Sequence, residues 1–383
     1  MRVLIVYPGI YIYGGAELLL VKLCNYLSMK GVYNALLTTS IIPEVNEKLK
    51  GTEIIIEKRE QSKGLLETIK FPMFLYKSIN KHINRFDVVN VHNYPSEFSS
   101  YASTKPVVWM CNEPELYLAK MRMTSFKKRL LWLMLIISEK IVVKNYIDDV
   151  IVSDDFNYAR FKKIYNKIPH IVNYGIDYDY FSRGSTTESR GKIGLDNKFI
   201  ILHVGMLTPF KNQIASLNTI NELKNIIPNI MLILAGHWEN EYKKELENYI
   251  NKNHLEAFVI FTGHIDKEKL RDYYWACNVL LHPIKSQGGW LSPFEALCAE
   301  RPIIVSHELT IANIIEKNKF GIVTDNFNDA IIEIYKKPDE YNKMAKYGKE
   351  WVKNNLSWDN FCSKTLDVFN QSVKGKKETY YVK

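Results

Sequence analysis

Cysteine is scarce in this chain of 383 residues. The five that occur, Cys24, Cys111, Cys277, Cys298 and Cys362, are odd in number and no two form a CxxC pair. That excludes a disulfide-stapled miniprotein and a cysteine-ligated zinc site, and predicts buried free thiols in a reducing compartment. Long hydrophobic runs are also missing. The longest, Leu130 to Ile137, has eight residues, whereas a bilayer-spanning helix needs ~20. The opening run, Val3–Tyr7, is too short for a signal peptide and reads as a strand. The expectation is a cytoplasmic chain that spans no membrane, with surface attachment left open. No GxGxxG follows a predicted strand, and GxxxxGK[ST], GxSxG and HExxH are absent. A dinucleotide oxidoreductase, a P-loop enzyme, an α/β-hydrolase and a zinc protease therefore lack support.

What is present is ordinary for a folded protein. Hydrophobic residues make up 46% and charged residues 24%, which excludes a disordered or collagen-like chain. The net charge of +9 points to an anionic partner such as a nucleotide, a phosphate group or a membrane surface. Nucleic acid is the weakest of these, because no reader module or aromatic RNP-type strand is found.

Short apolar runs alternate with amphipathic stretches. Val3–Tyr7, Ala35–Thr39, Val88–Val91, Val107–Met110 and Val150–Ser153 read as strands, with helices such as Ala16–Lys30, Leu65–Ile83 and Leu116–Asn145 between them. The rhythm pauses at Arg183–Lys198, a polar stretch rich in Gly, Ser and Thr that reads as a linker. It restarts with Phe199–Val204, Met231–Ala235, Phe258–Phe261, Val279–Leu281, Ile303–Val305 and Gly321–Val323 as strands, and ends in a helix over Asp359–Val373. This is the pattern of α/β domains whose parallel sheets are covered on both faces. Two doubly wound, Rossmann-like domains are expected, over residues 1–185 and 198–356, followed by a final helix and basic tail over 357–383.

Three loops carry the chemistry. Gly14-Gly15-Ala16-Glu17 opens a helix after the first strand, where glycines allow close backbone approach and the helix N-terminus favours an anion. Val204-Gly205-Met206-Leu207-Thr208-Pro209-Phe210-Lys211-Asn212 follows the first strand of the second domain and places Lys211 where a phosphate can be neutralised. Ser286-Gln287-Gly288-Gly289-Trp290-Leu291-Ser292-Pro293-Phe294-Glu295 is a glycine-rich loop leading into a helix, with Ser292 as the expected cap and Glu295 in the first turn. A carboxylate there accepts two hydroxyl hydrogen bonds, which suits a ribose diol. Asp177-Tyr178-Asp179 is a DxD, which reads as a polar turn, with a divalent-metal site as the competing reading.

Taken in order, these segments resemble glycosyltransferase family 4, the group 1 type of nucleotide-sugar enzyme with the two-Rossmann GT-B fold. The resemblance extends to Val107–Pro114, Asn173–Phe181, Gly263, Pro283–Val305 and Ser357-Trp358. It implies a retaining transferase that uses an NDP-sugar as co-substrate, with no metal and no other cofactor, and a final helix that returns to the first domain. By resemblance, Lys211 contacts the donor diphosphate and Glu295 the ribose. Gly205 and the Gly288, Gly289, Trp290, Leu291 and Ser292 segment hold phosphate and sugar. His264 and Ile265 meet the base through their backbone, and Gly15 closes over the diphosphate. Lys211, Glu295, Gln287 and Asn112 make up the implied catalytic set.

The chain departs from the family at three positions. Gln287 stands where a first glutamate is usual, Met206 where an arginine often precedes the lysine, and Asn112 where a histidine is usual. These departures keep two alternatives open: a catalytically weak or regulatory relative that partners an active enzyme, and a GT-B sugar-nucleotide epimerase or phosphorylase. The segment 116–147 carries Lys120, Arg122, Lys127, Lys128, Arg129, Lys140 and Lys144 against the single acid Glu139, with Phe126 and Trp132 interleaved. This composition suits a helix lying in an anionic membrane interface, with an ordinary first-domain helix, half core and half solvated, as the competing reading. The expected acceptor is a lipid-linked glycan or another cell-envelope precursor, as in polysaccharide biosynthesis.

Overall fold

The computed structural model describes residues 1–59, 65–101, 103–112, 114, 116, 126–238, 240–285 and 289–381. The chain divides into two compact units. One comprises Met1–Gly175 with Trp358–Lys383, and the other Ile176–Ser357.

The first unit is built on a seven-stranded sheet. Its strands are β1 (Arg2–Val6), β2 (Tyr33–Thr38), β3 (Glu53–Ile56), β4 (Val88–His92), β5 (Val107–Met110), β6 (Asp149–Val152) and β7 (His170–Ile171), in the order β3-β2-β1-β4-β5-β6-β7. Every pairing is parallel. Side chains alternate across a strand, so Val3 and Ile5 join one core while Leu4 and Val6 join the other. Helices Gly15–Met29 and Trp358–Tyr381 cover the first face, through Leu20, Leu23 and Leu27 against Phe361, Val368 and Phe369. Helices Leu65–His82, Phe126–Asn145 and Asp155–Tyr165 cover the second, through residues such as Leu75, Val143 and Phe161. Part of the expected helix, residues 117–125, lies outside the described residues.

The final helix therefore belongs to the first unit. At its start, a Cβ on Gly175 would stand 2.4 Å from the Trp358 backbone nitrogen, so only glycine fits where the chain leaves the unit and later returns.

The second unit has a six-stranded parallel sheet: β8 (Phe199–Val204), β9 (Ile230–Ala235), β10 (Val259–Gly263), β11 (Val279–His282), β12 (Ile303–Val305) and β13 (Ile322–Val323). Their order is β10-β9-β8-β11-β12-β13, the doubly wound dinucleotide-binding order. Arg183–Lys198 is not a bare linker. It holds a helix, Thr186–Ile193, whose N-terminus is capped by Ser185 and which ends at Gly194 in the left-handed region (φ 69°). Ser189 Oγ donates to Asp272 of helix Lys267–Ala276 at 3.2 Å, tying this segment into the second unit. All five cysteines are buried free thiols, and burial pushes Cys24, Cys277 and Cys362 up to about 12.

Candidate functional site

In an open α/β sheet, ligands bind beyond the carboxyl ends of the strands where the strand order reverses. In the second unit that place lies between β8 and β11, which pair directly, and both of the unit's chemistry-bearing loops leave from it. They are tied to each other. Asn212, in the left-handed region at φ 59°, donates from Nδ2 to the Pro283 carbonyl at 2.8 Å, and Lys285 N–H donates to the Phe210 carbonyl at 2.8 Å. Gly205 (φ 150°) lets the chain turn at the end of β8, and the Lys211 stem runs beside it. The Lys211 ammonium then rests on Gly289 (φ 90°), so closely that a Cβ there would lie 2.5 Å from Nζ.

Two buried histidines lie close to this lysine. His203 ends β8 one residue early, and His282 ends β11. Their ring centroids are 6.3 Å apart, and the Nδ1 of His203 bonds Ser216 Oγ at 2.9 Å. Burial, then the charge of Lys211, drives both imidazoles down, His203 to about 3. Both are neutral at physiological pH, so they add no positive charge beside the lysine.

The loops after β9 and β10 join in series. Gly236 N–H donates to the Gly263 carbonyl at 3.0 Å, and a Cβ on Gly236 would stand 2.1 Å from the Gly205 carbonyl oxygen. His264, exposed, and Ile265, half-buried, follow β10 at the outer edge of this series.

The helix after the glycine-rich loop runs Leu291–Cys298. It begins earlier than expected. Ser292 is its second residue rather than its cap, Pro293 is its third and so lies in the first turn, and Glu295 is its fifth. The Trp290 ring is buried against Phe294, with centroids 5.3 Å apart. Gln287 and Gly288 lie outside the described residues.

Glu295 is half-buried as a residue, yet its carboxyl group is enclosed. Burial raises it to about 7, against the opposing pull of Tyr274 and Lys267. The Tyr274 hydroxyl donates to Oε2 at 2.7 Å, and its own ionisation is driven well above the phenol range by burial and by this carboxylate. Sequence reasoning missed Tyr274, since nothing in a helix of mixed polarity marks one tyrosine. Asp177 of the DxD is engaged by Lys267 in an ion pair and precedes a short helix, Tyr178–Phe181, that contains Asp179.

The first unit holds the other expected residues in its own loops. Gly15 opens its helix and is exposed, while Gly14 N–H donates to Glu17 Oε2 at 3.0 Å and Tyr7 OH donates to Glu17 Oε1 at 2.6 Å. Asn112, just past β5, donates from Nδ2 to Asn93 Oδ1 at 3.3 Å and accepts from Tyr174 OH at 2.7 Å.

Comparison with known proteins matches residues 185–351 to the family described as Glycosyl transferases group 1. Spore coat protein SA of Bacillus subtilis (strain 168) is 23% identical over 255 residues, covering 62% of this chain and 66% of that protein. The alpha-1,3/1,6-mannosyltransferase ALG2 of Homo sapiens is 22% identical over 277 residues, covering 67% of this chain and 66% of that one. The chain thus spans about two thirds of the length of these relatives. Among solved structures, Anabaena HepE in complex with UDP-glucose superposes with a TM-score of 0.79 at 14% identity, over 97% of this chain and 100% of that one.

Proposed function

We propose that the protein moves a sugar from an NDP-sugar to a glycan, lipid-linked or other cell-envelope acceptor, because residues 185–351 match the family described as Glycosyl transferases group 1 and the chain has a GT-B fold. In this reading the reaction retains anomeric configuration and uses no metal. The protein works in the cytoplasm, peripherally on the inner face of the cell membrane. The observation that carries the proposal is the Lys211 ammonium seated on Gly289, between two cross-tied loops at the strand-order reversal.

That arrangement suits a leaving diphosphate. As the bond from the anomeric carbon to phosphate breaks, negative charge grows on the leaving oxygen. A fixed ammonium and the open amides at the start of helix Leu291–Cys298 stabilise that charge without reorganising. The Glu295 carboxylate accepts from the ribose hydroxyls. By the resemblance, Gly205, Gly288, Gly289, Trp290, Leu291 and Ser292 are assigned to phosphate and sugar, His264 and Ile265 to the base, and Gly15 to the diphosphate. By the resemblance, Gln287 and Asn112 belong to the catalytic set, each as a neutral amide. The complex of HepE with UDP-glucose supports a nucleoside-diphosphate sugar as donor.

The test is titration calorimetry with UDP, GDP and ADP, followed by incubation with the matching NDP-sugars and analysis of the released product. Binding of one nucleotide, and transfer that preserves the anomer, is the expected result. No nucleotide binding, or release of an epimerised sugar, overturns it.

A second reading, a catalytically weak or regulatory relative, is favoured by Met206. This residue is 42% exposed in the Lys211 loop, where the family often carries a second cation. Tight nucleotide binding without turnover, together with co-purification of an active transferase, would select it.

A further inference from the structure

Helix Phe126–Asn145 is apolar on two sides, but among the described residues protein covers only one of them. Ile136, Val142 and Val143 face inward and are buried. On the other side Leu130, Leu133, Met134, Ile137 and Ile141 are each between 47% and 61% exposed. Their spacing of three or four residues lays them in a single stripe. A row of five large aliphatic side chains open to solvent is far outside the scattered exposure normal for a folded surface.

The charges sort by side as well. Arg129, Lys140 and Lys144 are exposed beside the stripe. The helix's only acid, Glu139, is turned inward, where its Oε2 accepts from Tyr165 OH at 2.6 Å. Helix Leu65–His82, on the same face of the sheet, repeats the pattern with Ile69 and Met73 exposed among Lys70 and Lys77. Tyr101 packs beside both helices, its ring 6.4 Å from Tyr76 of the second and 4.8 Å from Tyr146, the residue that follows the first.

We infer that this face docks on an anionic lipid bilayer. The aliphatic stripe enters the acyl boundary and the flanking cations meet lipid phosphates. No described helix is long and apolar enough to cross a membrane, so the helix lies in the interface. A second copy of the chain fits less well, because a two-fold pairing would set the same cations against one another. The inference deepens the function proposed above by naming the surface at which a lipid-linked acceptor is met, and its purpose rests on that reading.

The experiment is flotation of the full-length protein with vesicles of phosphatidylglycerol and phosphatidylcholine in equal parts, against phosphatidylcholine alone, at low and high salt. Flotation with the anionic vesicles at low salt, weakening as salt rises, is expected. Leu133→Asn with Ile137→Asn, and separately Lys140→Glu with Lys144→Glu, should each cut partitioning by about tenfold or more. Both pairs are exposed and lie away from the residues assigned to nucleotide binding, so melting temperature and nucleotide affinity should stay at wild-type values. The inference fails if the wild type stays in the soluble fraction, if both double variants float like wild type, or if the wild type is a dimer that Leu133→Asn with Ile137→Asn converts to monomer. Vesicle binding without any nucleotide binding would instead sink the enzymatic reading and leave the docking face standing.

Discussion

The ammonium of Lys211 lies so close to Gly289 that a Cβ there would stand 2.5 Å from Nζ and push the end of the lysine aside. The two residues come from the loops that follow β8 and β11 and meet at the reversal of strand order. Replacing Gly289 by alanine should therefore act twice, by strain at φ 90° and by displacing the lysine. The expected result is a loss of nucleotide-diphosphate affinity of about tenfold or more, with a modest fall in melting temperature. Calorimetry and thermal unfolding on the same sample separate the two effects.

Lys211→Ala removes the charge and leaves the loop. Charge-assisted hydrogen bonds contribute about 1.5–3 kcal/mol, so affinity for a nucleoside diphosphate should fall by about 10- to 100-fold. Affinity for the nucleoside should be unchanged. Equal loss for both ligands would mean that Lys211 does not contact the diphosphate.

The raised carboxyl of Glu295 makes a pH prediction. Hydroxyl donors prefer the ionised form, and this group is held up to about 7 by burial. Nucleotide affinity should rise with pH through that value, and Glu295→Gln should flatten the profile. Tyr274→Phe removes a hydrogen bond that pulls the carboxyl down, so it should move the rise to higher pH. The folded-state value lies above that of the unfolded chain, so this group favours the folded protein at low pH. That contribution is lost as pH rises toward about 7. Glu295→Gln should remove this part of the pH dependence of the melting temperature.

Gly236→Ala tests the scaffold rather than the chemistry. Its Cβ would stand 2.1 Å from the Gly205 carbonyl oxygen, a backbone atom that cannot swing aside. Destabilisation of about 2–4 kcal/mol is expected in denaturant titration, together with weakened nucleotide binding because Gly205 carries the Lys211 loop. Gly191→Ala, where nothing lies within 4 Å, is the matched control and should leave both near wild type.

Much of this fold could be read along the chain, and the reasons differ by element. Ile303–Val305 is an uninterrupted apolar run and Phe199–Val204 is broken only by His203, so their limits agree with the structure. Glu53–Ile56 and His170–Ile171 escaped notice because a four-residue and a two-residue strand are too short to show a period. Thr186–Ile193 was hidden by its polarity, since its capping serine and terminal glycine also describe a loop. At the site, Lys211 and Glu295 could be picked out because each sits in a loop of distinctive composition. Gly236, Asn212, His282 and Tyr274 could not, because each acquires its role from a partner distant in sequence.

The helix Trp358–Tyr381 packs on the unit that begins with Met1, while Ile176–Ser357 forms the other unit without interruption. During synthesis the later unit can therefore finish folding first. The earlier one waits with the groove beside helix Gly15–Met29 uncovered until the whole intervening stretch has been made. Chain length between the two halves of the first unit thus becomes a timer. A stall or truncation just before Trp358 would leave an intact second unit tethered to a first that exposes Leu20, Leu23 and Leu27.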